Sequence, residues 1–160
     1  MKNKINSLRG NTLNSYNLRN KLNPFIIVTL FLINFVYSQS GSITFGSIDQ
    51  DSKTIEILYQ SSEDIVGFQF ELSGIVIDNL DGGDVEEYGL QTSGTESMQI
   101  GFVLFGSPIP SGSGILTYLH YSEIYGQACF VDSRLSPSGG GYICGNPQDG
   151  SNTCNDGDCI

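Results

Sequence analysis

The sequence predicts an all-β protein, an antiparallel β-sandwich of about eight short strands, and three observations carry that expectation. Apolar and polar residues alternate at period two in "IVGFQFELSG", where Val66, Phe68, Phe70 and Leu72 fall on one side of an extended chain and Gly67, Gln69 and Glu71 on the other. A helix would repeat its apolar positions every three or four residues instead. Similar runs recur at roughly even spacing from Gly41 to Ile143, with no helical stretch among them. Between the runs lie clusters of Gly, Pro, Asp and Ser, which supply positive φ, fixed φ or local side-chain hydrogen bonds.

In chain order the predicted strands are "SITFGSI" from Ser42, "KTIEILYQ" from Lys53, "IVGFQFELSGIVI" from Ile65, "YGLQT" from Tyr88, "SMQIGFVLF" from Ser97, "GILTYLHYS" from Gly114, "ACFVDSR" from Ala128 and "GGYIC" from Gly140. Two stretches dense in turn residues, "DNLDGGD" from Asp78 to Asp84 and "GSPIPSGSG" from Gly106 to Gly114, are expected to be loops. The expected core is Val66, Phe68, Phe70, Leu72, Met98, Ile100, Phe102, Leu104, Ile115 and Leu119. One domain, residues 39–143, accommodates all of this, and residues 144–160 are too poor in apolar side chains to add to a core. They read as a cysteine-containing polar tail or linker.

Residues 1–38 stand apart from the sheet. They hold Lys2, Lys4, Arg9, Arg19 and Lys21, no acidic residue, and then the apolar run "PFIIVTLFLINFVY" from Pro24 to Tyr37. A basic segment followed by an apolar run of this length reads as a secretory signal peptide, with cleavage expected after Ser38. The alternative is a leader retained as a membrane anchor, although the run is shorter than the roughly 20 apolar residues of a full span. A secreted, extracellular or cell-surface location follows.

Without the leader, only Lys53 and Arg134 oppose all 17 acidic residues, a formal charge of −15. Such a surface repels phosphate backbones and argues against a nucleic-acid partner. Cys129, Cys144, Cys154 and Cys159 are then expected as disulfides. Three pairings are possible, of which Cys129 with Cys144 and Cys154 with Cys159 close the shortest loops. A zinc site is disfavoured by the lack of a Cys-x-x-Cys pair and by a single His, His120.

Catalytic templates fail on their components, and no enzyme is expected. His120 lies in a strand-like run with no G-x-S-x-G elbow in the chain. Glu86 and Glu87 are adjacent, so on a strand they would point to opposite faces rather than converge on a sugar. A hydrolase using either of them is the weakest of the functional readings. The acidic loops suggest calcium: Asp78, Asp81 and Asp84 in one, and Asn155, Asp156 and Asp158 in the other, present hard oxygen ligands on Gly-containing segments. No EF-hand is complete, because the twelfth position from Asp78 is Gly89.

The stretches "IVGFQFELSG" and "MQIGFVLFGSPIPSGSGILTYLHY" resemble the cohesin domains and their relatives among secreted bacterial sandwiches. Gly67 to Leu72 would match an early core strand of that family, and Gly112, Gly114, Leu116 and Leu119 its late turn and strand. The resemblance covers about residues 41–136 and rests on hydrophobic and glycine positions. It implies a nine-stranded jelly-roll that binds dockerin-like modules through one sheet face, in a superfamily that includes cellulose-binding modules. The cysteine-rich end from Cys129 departs from the family pattern. The expected function is therefore non-catalytic adhesion or assembly with an extracellular protein partner. The rival expectation is a carbohydrate-binding module that stacks polysaccharide on exposed tyrosines. Tyr59, Tyr118 and Tyr121 are its first candidates, with Tyr88 and Tyr125 beside them; the absence of Trp weakens such a platform.

Overall fold

The computed structural model describes residues 40–144, 154 and 158–160, so the expected signal peptide, 1–38, lies outside the described residues, as do Asn155 and Asp156. The fold is all-β apart from one short helix. Its elements are β1 (Gly41–Asp49), β2 (Thr54–Ser61), β3 (Ile65–Asp81), α1 (Gly83–Glu87), β4 (Gln91–Gly94), β5 (Met98–Phe102) and β6 (Gly112–Pro137). The strands form one antiparallel sheet in the order β1-β2-β6-β3-β5-β4.

Two long strands organise the sheet. β3 runs for 17 residues and β6 for 26, and they pair along nearly their whole length. "GILTYLHYS" and "ACFVDSR", expected as separate strands, are thus one strand, because the intervening Glu123–Gln127 stays extended despite lacking a core-facing residue. β2 pairs only with residues 112–120 of β6, and β5 only with residues 67–71 of β3. The β3–β6 ribbon therefore belongs to both ends of the sheet. These ends curl to face each other: Phe45 of β1 lies against Phe130 in the second half of β6, with ring centroids 4.3 Å apart, and Phe130 meets Phe70 edge-on at 6.0 Å. Ile43, Ile55, Ile57, Leu116, Leu119 and Leu135 complete the interior, all fully buried.

Bulges decide which residues face inward. In β3, Phe68, Phe70 and Leu72 point in, as the alternation predicts, but the inward set then changes parity to Ile75 and Ile77. The change occurs at Gly74, whose φ of 76° is available to glycine and whose Cβ, if it had one, would stand 2.1 Å from the Gln127 carbonyl oxygen. A second irregularity between Ile65 and Gly67 turns Ile65 inward and leaves Val66 half-buried.

The expected core is corrected most strongly at β5. Met98, Ile100 and Phe102 point outward, Leu104 is exposed, and Gln99 and Gly101 face in. The reason is the Phe68 ring, which presses on the backbone of Gly101 so closely that a Cβ there would lie 2.0 Å from it. That ring fills the inner side of β5, and a bulky residue at 101 would be excluded. Helix α1 is a second departure from the expected loop and strand. Gly82 and Gly83, both at φ 62°, turn the chain so that Val85 is buried.

"GGYIC" is not a strand either; only Cys144 forms a bridge, to Leu135. Cys144 thus sits opposite a residue six positions beyond Cys129, about 20 Å along an extended strand at ~3.3 Å per residue. The Cys129–Cys144 and Cys154–Cys159 pairings are therefore overturned. The disulfides join Cys129 to Cys159 and Cys144 to Cys154, with Cα atoms 4.1 and 4.7 Å apart. The described residues of the C-terminal segment, expected as a tail or linker, lie along the edge of β6 that β2 leaves uncovered. Ala128 and Ile160 exchange backbone hydrogen bonds of 3.2 and 2.9 Å, the Phe130 amide donates to the Asp158 carbonyl at 3.0 Å, and the Cys154 amide to the Ser133 carbonyl at 2.7 Å. The Asp158 carboxylate then accepts from the Phe45 amide at 3.3 Å, so the segment joins β6 to β1.

Candidate functional site

The outward face of β6, β3 and β5 is built from three cross-strand rows. Register aligns Arg134, Gln69 and Ile100 in one row, Ser136, Gly67 and Phe102 in the next, and Asp132, Glu71 and Met98 in the third. Gly67 leaves a gap between Phe102 and Ser136, and the result is a shallow concavity of about 380 Å³ walled by Ile100 and Phe102 on one side and Arg134 and Tyr142 on the other. A Cβ at Gly67 would approach the Gly101 carbonyl oxygen to 3.1 Å, so a side chain there would crowd the β5 backbone.

Arg134 is oriented by a carboxylate and a ring. Its Nη2 and Nε reach the two oxygens of Asp132 at 2.9 and 3.2 Å, and its guanidinium lies 5.7 Å from the centre of the Tyr142 ring. Past the strand end, Leu104 is 56 % and Phe105 90 % exposed. These two side chains stand on an anchored loop. The Val103 amide donates to the Val66 carbonyl at 2.8 Å, the Ser107 amide to the Tyr88 carbonyl at 2.9 Å, and Ile109, fully buried, exchanges backbone hydrogen bonds with Ile65. A pinned loop presenting two large apolar groups to water is an unusual use of apolar surface in an acidic domain.

The tyrosine platform does not assemble. Tyr59 and Tyr121 are buried and Tyr118 is half-buried, which corrects their expected place on a ligand face. Tyr59 points inward because β2 alternates Ile55, Ile57 and Tyr59 into the core. Its hydroxyl donates to Asp84 Oδ2 at 2.7 Å, and burial, reinforced by that bond and the Asp84 charge, holds its pKa well above the ordinary tyrosine value.

The acidic residues are likewise dispersed. Asp78 and Asp81 lie in β3 rather than in a loop, and Asp84 lies in the first turn of α1, engaged by Tyr59. Asp81 pairs with His120, Oδ1 to Nε2 at 2.9 Å, while the other ring nitrogen of His120 is 3.3 Å from the Thr54 hydroxyl. Asp158 is engaged by the Phe45 amide. Among the described residues no three His, Cys, Asp or Glu side chains are grouped so as to hold a metal ion, which corrects the calcium expectation for Asp78, Asp81 and Asp84; Asp156 lies outside those residues. Glu86 caps the turn before α1 by accepting the Gly82 amide at 2.8 Å.

Phe105, Arg134 and Tyr142 were not expected as surface determinants. A signal for Phe105 does exist, because "LF" carries the apolar run directly into the turn-forming "GSPIPSG", beyond any strand that could bury it. No protein-family model, curated protein or solved structure matches this chain.

Proposed function

We propose that this protein is a secreted, non-catalytic binding module that engages an extracellular protein partner on the outward face of β3, β5 and β6, as the resemblance to cohesin-like jelly-roll domains implies. The observation that carries this reading is the outward-facing set of Ile100, Phe102 and Tyr142 around Arg134 on this face, with Leu104 and Phe105 exposed on the loop that follows β5. Large apolar and aromatic groups next to an oriented Arg are the composition of an interface centre. The acidic surround favours a partner with basic residues at the rim. Two disulfides suit an oxidising compartment, and among the described residues no helix is long and apolar enough to cross a membrane.

The test is capture from native extracellular fluid by the immobilised domain, run beside a Leu104→Ser, Phe105→Ser variant. A protein retained by the first and lost by the second supports the reading. Capture of glycan alone, or of protein equally by both, overturns it.

A further inference from the structure

A sheet that curls brings its two margins close on both sides, and this protein treats the two sides differently. On one side the gap between β1 and the second half of β6 is filled by the chain's own segment, through the Ala128–Ile160 and Phe130–Asp158 backbone bonds and the Asp158 carboxylate on the Phe45 amide. On the other side the margins are the second half of β3 and strand β4. In β3, Asn79 and Leu80 pair with β6 alone and Asp78 is the extra residue of a bulge between Ile77 and Asn79, β4 pairs with β5 alone, and among the described residues no strand lies between them. The last backbone bonds that bridge the two walls run from the Leu72 amide to the Ser97 carbonyl and from the Ile77 amide to the Glu96 carbonyl, both 2.8 Å. Beyond them the walls part around a cleft of about 410 Å³.

The cleft is polar, and its charge has one sign. Asp78 and Glu96 both line it, together with Thr92, Ser93 and the buried Gln99. Neither carboxylate has a cationic partner among the described residues. The two lysine and arginine side chains described are engaged elsewhere, Lys53 on the Ser122 carbonyl at 2.7 Å and Arg134 on Asp132.

We infer that this cleft takes an extended, basic peptide segment of a partner protein, which adds as a strand to the edge of β3 at Asp78–Leu80 and places a Lys or Arg between Asp78 and Glu96. Strand addition fits because an unpaired sheet edge offers backbone donors and acceptors to any extended chain, while side chains at alternate positions select the sequence. The basic character follows from the two carboxylates, Asp78 and Glu96, that line the cleft without a cationic partner among the described residues. The site lies on a different margin of the sheet from the Phe105 surface and does not depend on it.

The experiment follows backbone amide resonances of the oxidised domain, residues 39–160, on titration with synthetic peptides that alternate Lys with Val. Control peptides carry Glu or Gln in place of Lys, or N-methylated backbone amides. Saturable shifts at Ile77–Leu80 and Thr92–Glu96 with the Lys peptide, weakened at least tenfold by Asp78→Asn with Glu96→Gln, are the expected result. The N-methylated and Glu peptides are expected to leave those resonances in place. Equal binding by the N-methylated peptide overturns strand addition, and equal binding by the Gln peptide overturns the charge selection. Shifts at the same residues with neutral oligosaccharides but not with peptides assign the cleft to a different ligand. Both substituted side chains are at the surface, so the variant's undisturbed remaining resonances verify that it is folded.

Discussion

The hydroxyl of Tyr59, on a strand at one end of the sheet, donates to the carboxylate of Asp84, on the helix that follows β3, at 2.7 Å. The bond ties α1 to β2 across the first half of β6, and it explains why a tyrosine occupies a position that the alternation of β2 assigns to the interior. Tyr59→Phe leaves the carboxylate without this donor and is expected to cost about 1–2 kcal/mol in denaturant unfolding.

The same pair makes a pH dependence. Because the folded state raises the pKa of Tyr59, the unfolded chain loses this proton first as pH rises. The stabilisation is therefore complete below the ordinary tyrosine value of about 10 and declines as pH climbs from there towards the raised folded value. Unfolding free energy measured across this alkaline range should fall less steeply in Tyr59→Phe than in the parent, and identical slopes would refute the assignment.

Peptide mapping without reduction should recover Cys129 linked to Cys159 and Cys144 linked to Cys154. Removing either bridge by a double Cys→Ser change is expected to cost on the order of 3 kcal/mol in the chain-entropy account. Hydrogen exchange locates the effect: after reduction the Ala128 and Phe130 amides, which donate to Ile160 and Asp158, should lose protection before those of β2. A peptide joining Cys129 to Cys144 contradicts the fold of the whole C-terminal segment.

Gly101→Ala drives a methyl group into the Phe68 ring and is expected to destabilise by about 1–3 kcal/mol. A double-mutant cycle with Phe68→Leu should recover much of that loss, since the shorter side chain vacates the space. Additivity of the two changes would place the ring elsewhere.

Phe105→Ser should leave stability within about 0.5 kcal/mol of the parent, because a side chain this exposed buries little on folding. Its effect should appear only in partner capture. A large loss of stability would mean that Phe105 packs inside the molecule.

The strands were legible because alternation at period two is a property of the chain itself, and β2, β3 and the first half of β6 carry it plainly. Which face each alternation presents was not legible at β5, where Met98, Ile100 and Phe102 make as good an inner set as Gln99 and Gly101. The ring of Phe68, 33 positions before Gly101, decides between them. The disulfides were unreadable for a related reason. The segment that carries Cys154 and Cys159 docks through backbone groups, which leave no trace in composition, and so the shortest loops looked best. Helix α1, at five residues, is too short to show a period. The acidic residues looked like one cluster because Asp78, Asp81 and Asp84 are close in sequence, yet the fold gives Asp81 to His120 and Asp84 to Tyr59 and leaves Asp78 lining the cleft beside β4.

The hydrogen bond from Phe45 to Asp158 joins residues 113 positions apart, and the neighbouring rungs on β6 also wait for the far end of the described chain. Loop closure over such distances is slow compared with forming the β1–β2 hairpin or the β4–β5 turn. During synthesis the margin of β6 from Ala128 to Leu135 is consequently bare for a time, and a bare margin is a template for the strands of neighbouring chains. Oxidation of Cys129 with Cys159 ends that interval. The redox machinery of the compartment thereby sets how long the nascent protein is vulnerable to aggregation, so yield should depend on the rate of disulfide formation more steeply than final stability does.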